Sequence, residues 1–340
     1  MALSRIELQN FRNHKSFAAD IPRMIYICGD NGAGKTSLAE SLFLLLTLKT
    51  FRREDIANVK SFHEQYMCIK GVFTSENIEN AVYFYQNKRI LQIDGSERQN
   101  LSEYIFMMPV ICYSPGFESF FSPHQIERRN FLDRMIFYAE PLHLNDLKQY
   151  NALLARKRAE LNRNVPDEDL ITIINEQALP FSETISARRK ALVEMVNSKI
   201  AVNPELSDKF LPGMKLALNI SSLMDRDEKK ETDSGRPIYG SHKDLLYLKQ
   251  NGKIIEKFQS FGQKKSALLY ILYHLAIHIE ECRKCDIMII LDDFEAGLDV
   301  RRCDLLNGLF LDEASEKRQL FLTGLDNRRY IGMETLPLTV

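Results

Sequence analysis

Apolar and polar residues alternate along "MALSRIELQN", and this period of two predicts a strand at the start of the chain. A short apolar run, "MIYIC" at 24 to 28, predicts a buried strand, and "SLFLLLTL" at 41 to 48 predicts a buried helix. The segments "MCIKGVFT", "AVYFYQ" and "RILQIDG" have the β-rich composition of antiparallel strands, with "QNK" turning between the last two. "VICYS" at 110 to 114 reads as a further buried strand, ended by Pro115 and Gly116. From about 124 to 210 the period changes. "IERRNFLDRMIFYAE", "LNDLKQYNALLARKRAEL" and "FSETISARRKALVEMVNSKIA" carry apolar residues at helical intervals, and Pro141, Pro166 and Pro180 predict breaks between helices. Strand character returns at "MKLALNI", and Asn251 and Gly252 in "LLYLKQNGKIIEKF" predict a hairpin. A helix over about 263 to 281, a buried strand "IMIILDD", a helix near 300 to 315 and a strand "QLFLT" complete the order. The result is an α/β chain interrupted by a helical segment, with pieces at 1–123, 124–212 and 213–340 and no internal repeat.

Composition adds limits. Hydrophobic residues make up 45% and charged residues 27% of 340, as in globular proteins, and the formal net charge is -1. A nucleic-acid surface would therefore have to be a local basic patch. No apolar stretch is long enough to cross a bilayer, and the strand-like start does not read as a secretory signal, so a cytoplasmic protein without membrane partners is expected. Of the six cysteines, only Cys282 and Cys285 in "CRKC" have ligand spacing, and a structural zinc site requires a second such pair.

The chemistry is concentrated in "GDNGAGKTS", residues 29 to 37, between a strand and a helix. Gly29, four residues (Asp30, Asn31, Gly32, Ala33), then Gly34, Lys35, Thr36 and Ser37 form a phosphate-binding loop, in which successive N–H groups surround phosphate oxygens at a helix N-terminus. Lys35 would reach the β- and γ-phosphates, and the Thr36 hydroxyl would ligate Mg²⁺. Asp292 and Asp293 end the strand "IMIILDD" at the mouth of a parallel sheet, where ligands of such sheets bind. Asp292 would hold Mg²⁺, and Asp293 would orient or deprotonate the attacking water. In "QSFGQKKSALLYILYHLA", Ser260, Gly262 and Gln263 open a long helix and would form a second anion site.

Taken together, the phosphate loop, the S-x-G-Q helix start, the strand ending in paired acids and the following "GLD" resemble the ATP-binding-cassette ATPases. The resemblance narrows to the RecF family on six stretches in the family's order: "LQNFRNH", "GDNGAGKTS", "YSPGFESFFSP" with "RRNFLD", "YGSHKDLL", "SFGQKKSALL" and "ILDDFEAGLDVRR". Gln259, Leu245 and Pro123 depart from its pattern. It implies a Rad50-like ATPase head built from both chain ends, at 1–123 and 213–340, with 124–212 as a helical second lobe. The interval between Lys35 and Asp292 is too short for a long coiled coil.

Carried over residue by residue, the resemblance implies ATP and Mg²⁺ at Lys35 and Thr36, metal ligation by Asp292 and catalysis by Asp293. It puts Ser260, Gly262 and Gln263 on the ATP of a partner subunit, Arg12 near the nucleotide and Asp299 in a loop crossing the dimer interface. A weak, DNA-dependent ATPase without nuclease activity would follow, acting as an ATP-induced homodimer on gapped or junction DNA and cooperating with RecO and RecR to load RecA. Candidate basic residues for DNA are Arg52, Arg53, Arg128, Arg129, Arg156, Lys157, Arg158, Arg188, Arg189 and Lys190. A related head that gates an effector in an anti-phage or toxin system is the alternative. A transporter subunit is a third, which "FLTGLDN" disfavours because it lacks the histidine that transporter ATPases carry there.

Overall fold

The computed structural model describes residues 2–50, 55–74, 78–85, 88–98, 100–115, 124–255, 259–312, 317–325 and 334–338. Arg52, Arg53, Pro123 and most of "YSPGFESFFSP" lie outside the described residues. Two compact units divide the chain, one made of Met1–Glu118 with Ala276–Val340, the other of Ser119–Leu275.

The chain begins with β1 (Leu3–Phe11), β2 (His14–Asp20) and β3 (Met24–Gly29), then α1 (Lys35–Thr47). In β1, Ile6 and Leu8 are buried as the alternation predicts, and a register shift between Leu3 and Arg5 buries Leu3 as well. β4 (Tyr66–Phe73), β5 (Ile78–Tyr85), β6 (Lys88–Ile93) and β7 (Ser96–Glu97) follow, then α2 (Leu101–Met107) and β8 (Val110–Tyr113). The second unit holds α3 (Gln125–Ala139), α4 (Leu142–Leu161), α5 (Glu168–Val202), α6 (Pro204–Phe210), β9 (Met214–Asn219), α7 (Glu228–Ser234), β10 (Leu245–Gln250) and β11 (Lys253–Ile254). Helix α8 (Phe261–Arg283) begins in the second unit and ends in the first. The chain closes with β12 (Ile287–Leu291), α9 (Val300–Asn307), β13 (Arg318–Gly324) and β14 (Glu334–Leu338).

In the first unit, β2-β1-β4-β5-β6-β7 form an antiparallel sheet and β14-β3-β13-β12-β8 a parallel one. Both ends of the chain meet in the parallel sheet, as the returning α/β pattern predicts. Nearly every residue of α1 is buried, because Leu38, Leu42, Leu45 and their neighbours share one core with strands of both sheets. An all-round apolar helix of this kind has no solvent face. Gln319 of β13 joins the sheets by accepting from Leu3 N at 2.9 Å and donating to Leu3 O at 2.6 Å.

The second unit extends past the expected limit at 212. Asn197 of α5 pairs with both main-chain groups of Leu216 in β9, and Gln125 of α3 does the same to Leu246 in β10. These amides stand in for strand neighbours, so the sheet β11-β10-β9 belongs with the helices. Its β10–β11 turn runs through Asn251 and Gly252, both at positive φ, as the hairpin requires. Pro180 does not break the chain as expected, since it lies inside the 35-residue α5. Ile174, Ala178, Ile185, Leu192 and Val196 of that helix are buried on either side of it, and this burial outweighs the lost N–H.

Candidate nucleotide site

The turn from β3 into α1 is the predicted phosphate loop. Gly34 precedes the first residue of α1 with φ 98°, and a Cβ there would come within 2.6 Å of the His14 ring, so only glycine fits. The His14 ring stays close, its Nε2 3.2 Å from Gly34 O, and burial lowers its pKa. Ala33 is buried, its N–H donating to Asp30 O at 3.2 Å. The Lys35 ammonium arches back over the loop, donating to Gly29 O at 2.7 Å and Asp30 O at 2.9 Å. That places a cation at the open N-terminus of α1, where an anion is favoured.

Strand order assembles the rest. β13 lies between β3 and β12, and β8 flanks β12 on the far side, so Thr323, Asp292 and Ser114 come together at the carboxyl ends of three adjacent strands. Asp292 is 1% exposed and accepts hydroxyl hydrogens from Thr323 at 2.6 Å, Ser114 at 2.8 Å and Thr36 at 3.1 Å. Burial pushes its carboxyl pKa up. The three hydroxyls oppose this, and the neighbouring Asp293 adds to the rise. Asp293 turns out of the strand at φ 51° with its N–H donating to Thr323 Oγ1 at 2.9 Å, and its side chain lines the cavity.

That cavity holds about 950 Å³, the size of a nucleotide-class pocket. Asn31, Gly32, Gly34, Lys35, Thr36 and Ser37 line one side, and Asp292, Asp293 and Thr323 another. Arg12 stands on the wall at φ 53°, its guanidinium donating to both carboxylate oxygens of buried Glu40, at 2.9 and 3.1 Å. Lys60, Ser61, Phe62, His63 and Glu64 form another wall, on which Phe62 is 93% exposed.

Ser114, Thr323, Glu40, His14 and the wall around Phe62 are not singled out by the sequence reading. His14 and Ser114 lie within quoted stretches, "LQNFRNH" and "YSPGFESFFSP", but neither is assigned a role there. The order of the strands is the signal that would have found Ser114 and Thr323.

Other predicted residues lie elsewhere. Ser260, in the second unit, is exposed and forms a capping box with Gln263, since Gln263 Oε1 accepts from Ser260 N and Oγ at 3.0 Å each. Gly262 lies between them in the first turn of α8. Asp299 caps α9 through Arg302 N at 2.9 Å, and this bond, with the Arg302 charge, lowers its pKa. Three of the candidate DNA residues are interior: Arg128, Lys157 and Arg189 are 3 to 4% exposed. Arg128 donates to Leu246 O at 2.8 Å, and Lys157 pairs with buried Glu231 at 2.5 Å.

Arg189 explains two of the family's stretches together. It grips Asp133 of "RRNFLD" through two bonds of 2.8 Å and Asp244 of "HKD" at 2.9 Å, with a further bond to Ser241 O at 2.6 Å. Ser186 and Ser221 N satisfy the remaining Asp244 positions, and His143 Nε2 donates to Asp133. Burial pushes the Asp133 pKa up, but the His143 and Arg189 bonds outweigh it and hold the group below the ordinary carboxylate value. Asp133 and Asp244 of these motifs are therefore structural in the second unit. Cys282 lies on the last turn of α8, 3.8 Å from the His278 ring nitrogens, and burial pushes the Cys285 thiol up. No group of three or more metal-ligating side chains occurs among the described residues.

A phosphate loop at the mouth of a parallel sheet, with a buried acid bonded to its threonine, defines a P-loop nucleotide-binding head. The chain belongs to the RecF/RecN/SMC N-terminal domain family, whose model matches residues 2–337. It is 28% identical over 334 residues to the DNA replication and repair protein RecF of Acholeplasma laidlawii, covering 94% of this chain and 93% of that one. The RecF of Carboxydothermus hydrogenoformans is 28% identical over 342 residues, covering 96% and 95%. Among solved structures, the recombination mediator protein RecF with ATP, of the RecFOR pathway, superposes with a TM-score of 0.84 at 22% identity over 99% of this chain and 97% of that one. An SMC head bound to the C-terminal winged-helix domain of ScpA gives 0.52 at 15% identity, over 96% and 91%.

Proposed function

We propose that this chain is an ATP-hydrolysing clamp of DNA repair. Two copies join around ATP, the pair grips gapped or junction duplex, and slow hydrolysis releases it. The observation that carries this reading is the contact between Thr36 and Asp292, which joins the phosphate loop to a buried acid at the mouth of the sheet.

Lys35 and the N–H groups of Gly32, Ala33 and Gly34 would hold the β- and γ-phosphates. Phe62, exposed on another wall of the cavity, would offer its face to the base. The donor set fits Mg²⁺: Thr36 and Asp292 supply two oxygens, and a buried carboxylate with only hydroxyl partners lacks a compensating positive charge. When bound, the ion offsets negative charge on the phosphate oxygens. Thr323 holds the Asp292 carboxylate and the Asp293 backbone at once, so it positions both acids. Asp293, turned toward the cavity, takes the proton of the attacking water.

Ser260 and Gln263 would meet the γ-phosphate in the partner's site, so nucleotide binding favours the dimer by mass action. By likeness to proteins named for the RecFOR pathway, the product would be a gap prepared for RecR and RecO. Fluorescence anisotropy of a labelled gapped duplex tests the reading. Tight binding is expected with a slowly hydrolysed ATP analogue and Mg²⁺, but not with ADP or in Lys35→Met. Equal binding in every nucleotide state overturns the clamp, and no binding in any state moves the effector-gating alternative forward.

A further inference from the structure

Of "HKD", Asp244 belongs to the Arg189 brace, and His242 and Lys243 stand beside it. The turn Ser241–Lys243 is anchored from every side: Ser241 N donates to Ser182 at 2.8 Å, Arg189 holds Ser241 O, and Asp244 is fully buried. Gly240 precedes it at φ 116°, where a Cβ would fall 2.3 Å from the Tyr150 hydroxyl. His242 lies between Tyr150 at 2.8 Å and Pro237 O at 3.3 Å. A carbonyl can only accept, so Nε2 carries the proton and Nδ1 accepts from the tyrosine. Burial first, with Lys243 and Arg129 nearby, depresses the His242 pKa to about 4, so the ring is neutral at physiological pH.

Lys243, on this rigid turn, makes no salt bridge among the described residues. The Lys157–Glu231 pair ties α4 to α7; the exposed Arg158 follows Lys157, and the exposed Arg236, just past the end of α7, donates its N–H to Glu231 O at 3.3 Å. Neither of these has a carboxylate partner among the described residues. Arg129 stands with them, half-buried, donating to Asp244 O at 2.8 Å. The ammonium of Lys243 is held below the ordinary lysine value by burial and then by Arg236, Arg129 and Arg158, with Glu231 as the opposing charge. Three arginines from different segments thus act on Lys243, which stands on a turn fixed by buried bonds. The acids beside it are already engaged, Glu231 by Lys157 and Asp244 by Arg189.

We infer that Arg158, Arg236 and Lys243, backed by Arg129, form a phosphate-binding site for the sugar-phosphate backbone of duplex DNA. This inference rests on the clamp reading and gives it a contact surface on the second unit. Guanidinium forks match phosphate oxygens in two-point contacts, and cations supply charge to the backbone without reading base edges. On a chain of net charge -1, such attraction has to be local. The patch also gives a purpose to the buried Arg189 network beneath it, which fixes where Lys243 stands.

The test is the salt dependence of duplex binding in the analogue-bound full chain. Arg158→Gln, Arg236→Gln and Lys243→Gln combined should weaken binding at least tenfold near physiological salt and flatten the slope of log K against log salt by about 2 to 3. A charge-preserving set (Arg158→Lys, Arg236→Lys, Lys243→Arg) should keep the slope, and thermal melts show whether each variant folds. Gln at the exposed Lys209, Lys215 and Lys253 is the control of equal net charge. An unchanged slope in the first set, an equal loss in the control, or displacement of DNA by polyglutamate at matched charge overturns the site while the clamp reading stands. A wild-type chain that binds no duplex overturns both.

Discussion

At the mouth of the parallel sheet, Asp292 is buried and its hydrogen-bond partners are three hydroxyls. In the helical unit, Asp133 is buried too, but its partners are the Arg189 guanidinium and the His143 ring. Burial raises the pKa of both. Hydroxyls only reduce the rise at Asp292, whereas a guanidinium reverses it at Asp133. One carboxylate has hydroxyl partners and no bonded cation, and the other is already paired with a guanidinium. The contrast separates a candidate ligand site from a structural brace, although both sit in stretches that the family resemblance marks.

The largest effect expected from this contrast is on stability. Arg189→Met leaves Asp133 and Asp244 buried without their cation and should cost about 3 to 5 kcal/mol in urea unfolding. A loss below about 1 kcal/mol would mean that the network is not a brace. Asp292→Asn should do the opposite. Turnover falls on the order of a hundredfold or more, while the melting temperature holds or rises, because a charge that burial disfavours has been removed. The sign follows from the raised pKa: between its unfolded and folded values the native state holds more protons, so this carboxylate adds stability as pH falls through that window. For Asp133, whose pKa is depressed, stability is present above the unfolded value and lost as pH falls through the folded one.

Thr323→Val removes a donor from Asp292 and the acceptor for Asp293 N–H. Phosphate release should slow by about tenfold, with nucleotide affinity changing less than turnover. The smallest effect concerns His242. Its folded pKa of about 4 lies below the unfolded value, so its contribution is present above pH 6.5 and lost as pH falls toward 4. The thermal midpoint of the wild type should drop across that window, and His242→Gln should flatten the drop; parallel curves would remove His242 from the account.

The phosphate loop, the paired acids and the order of elements are legible in the sequence because each depends on local spacing. Lys35 needs only its glycines, and Asp292 only the end of an apolar run. Thr323 and Ser114 are not legible, since their role depends on which strands are neighbours, and strand order is set by packing across the whole first unit. The same holds for the boundary of the second unit: Asn197 and Gln125 bind strand backbones that are distant in sequence, and no local signal reports it. Arg128 and Arg189 look like surface cations by spacing, yet Leu246 O and the two aspartates bury them. A run of basic residues gives charge without direction.

Sedimentation velocity of the wild type and Lys35→Met, with and without ATP and Mg²⁺ and with a short gapped duplex, tests the central claim most directly. The account predicts a dimer that forms only with ATP in the wild type and then carries the duplex, while Lys35→Met stays monomeric. A wild-type chain that remains a monomer with ATP, or dimerises and leaves the duplex free, would contradict it.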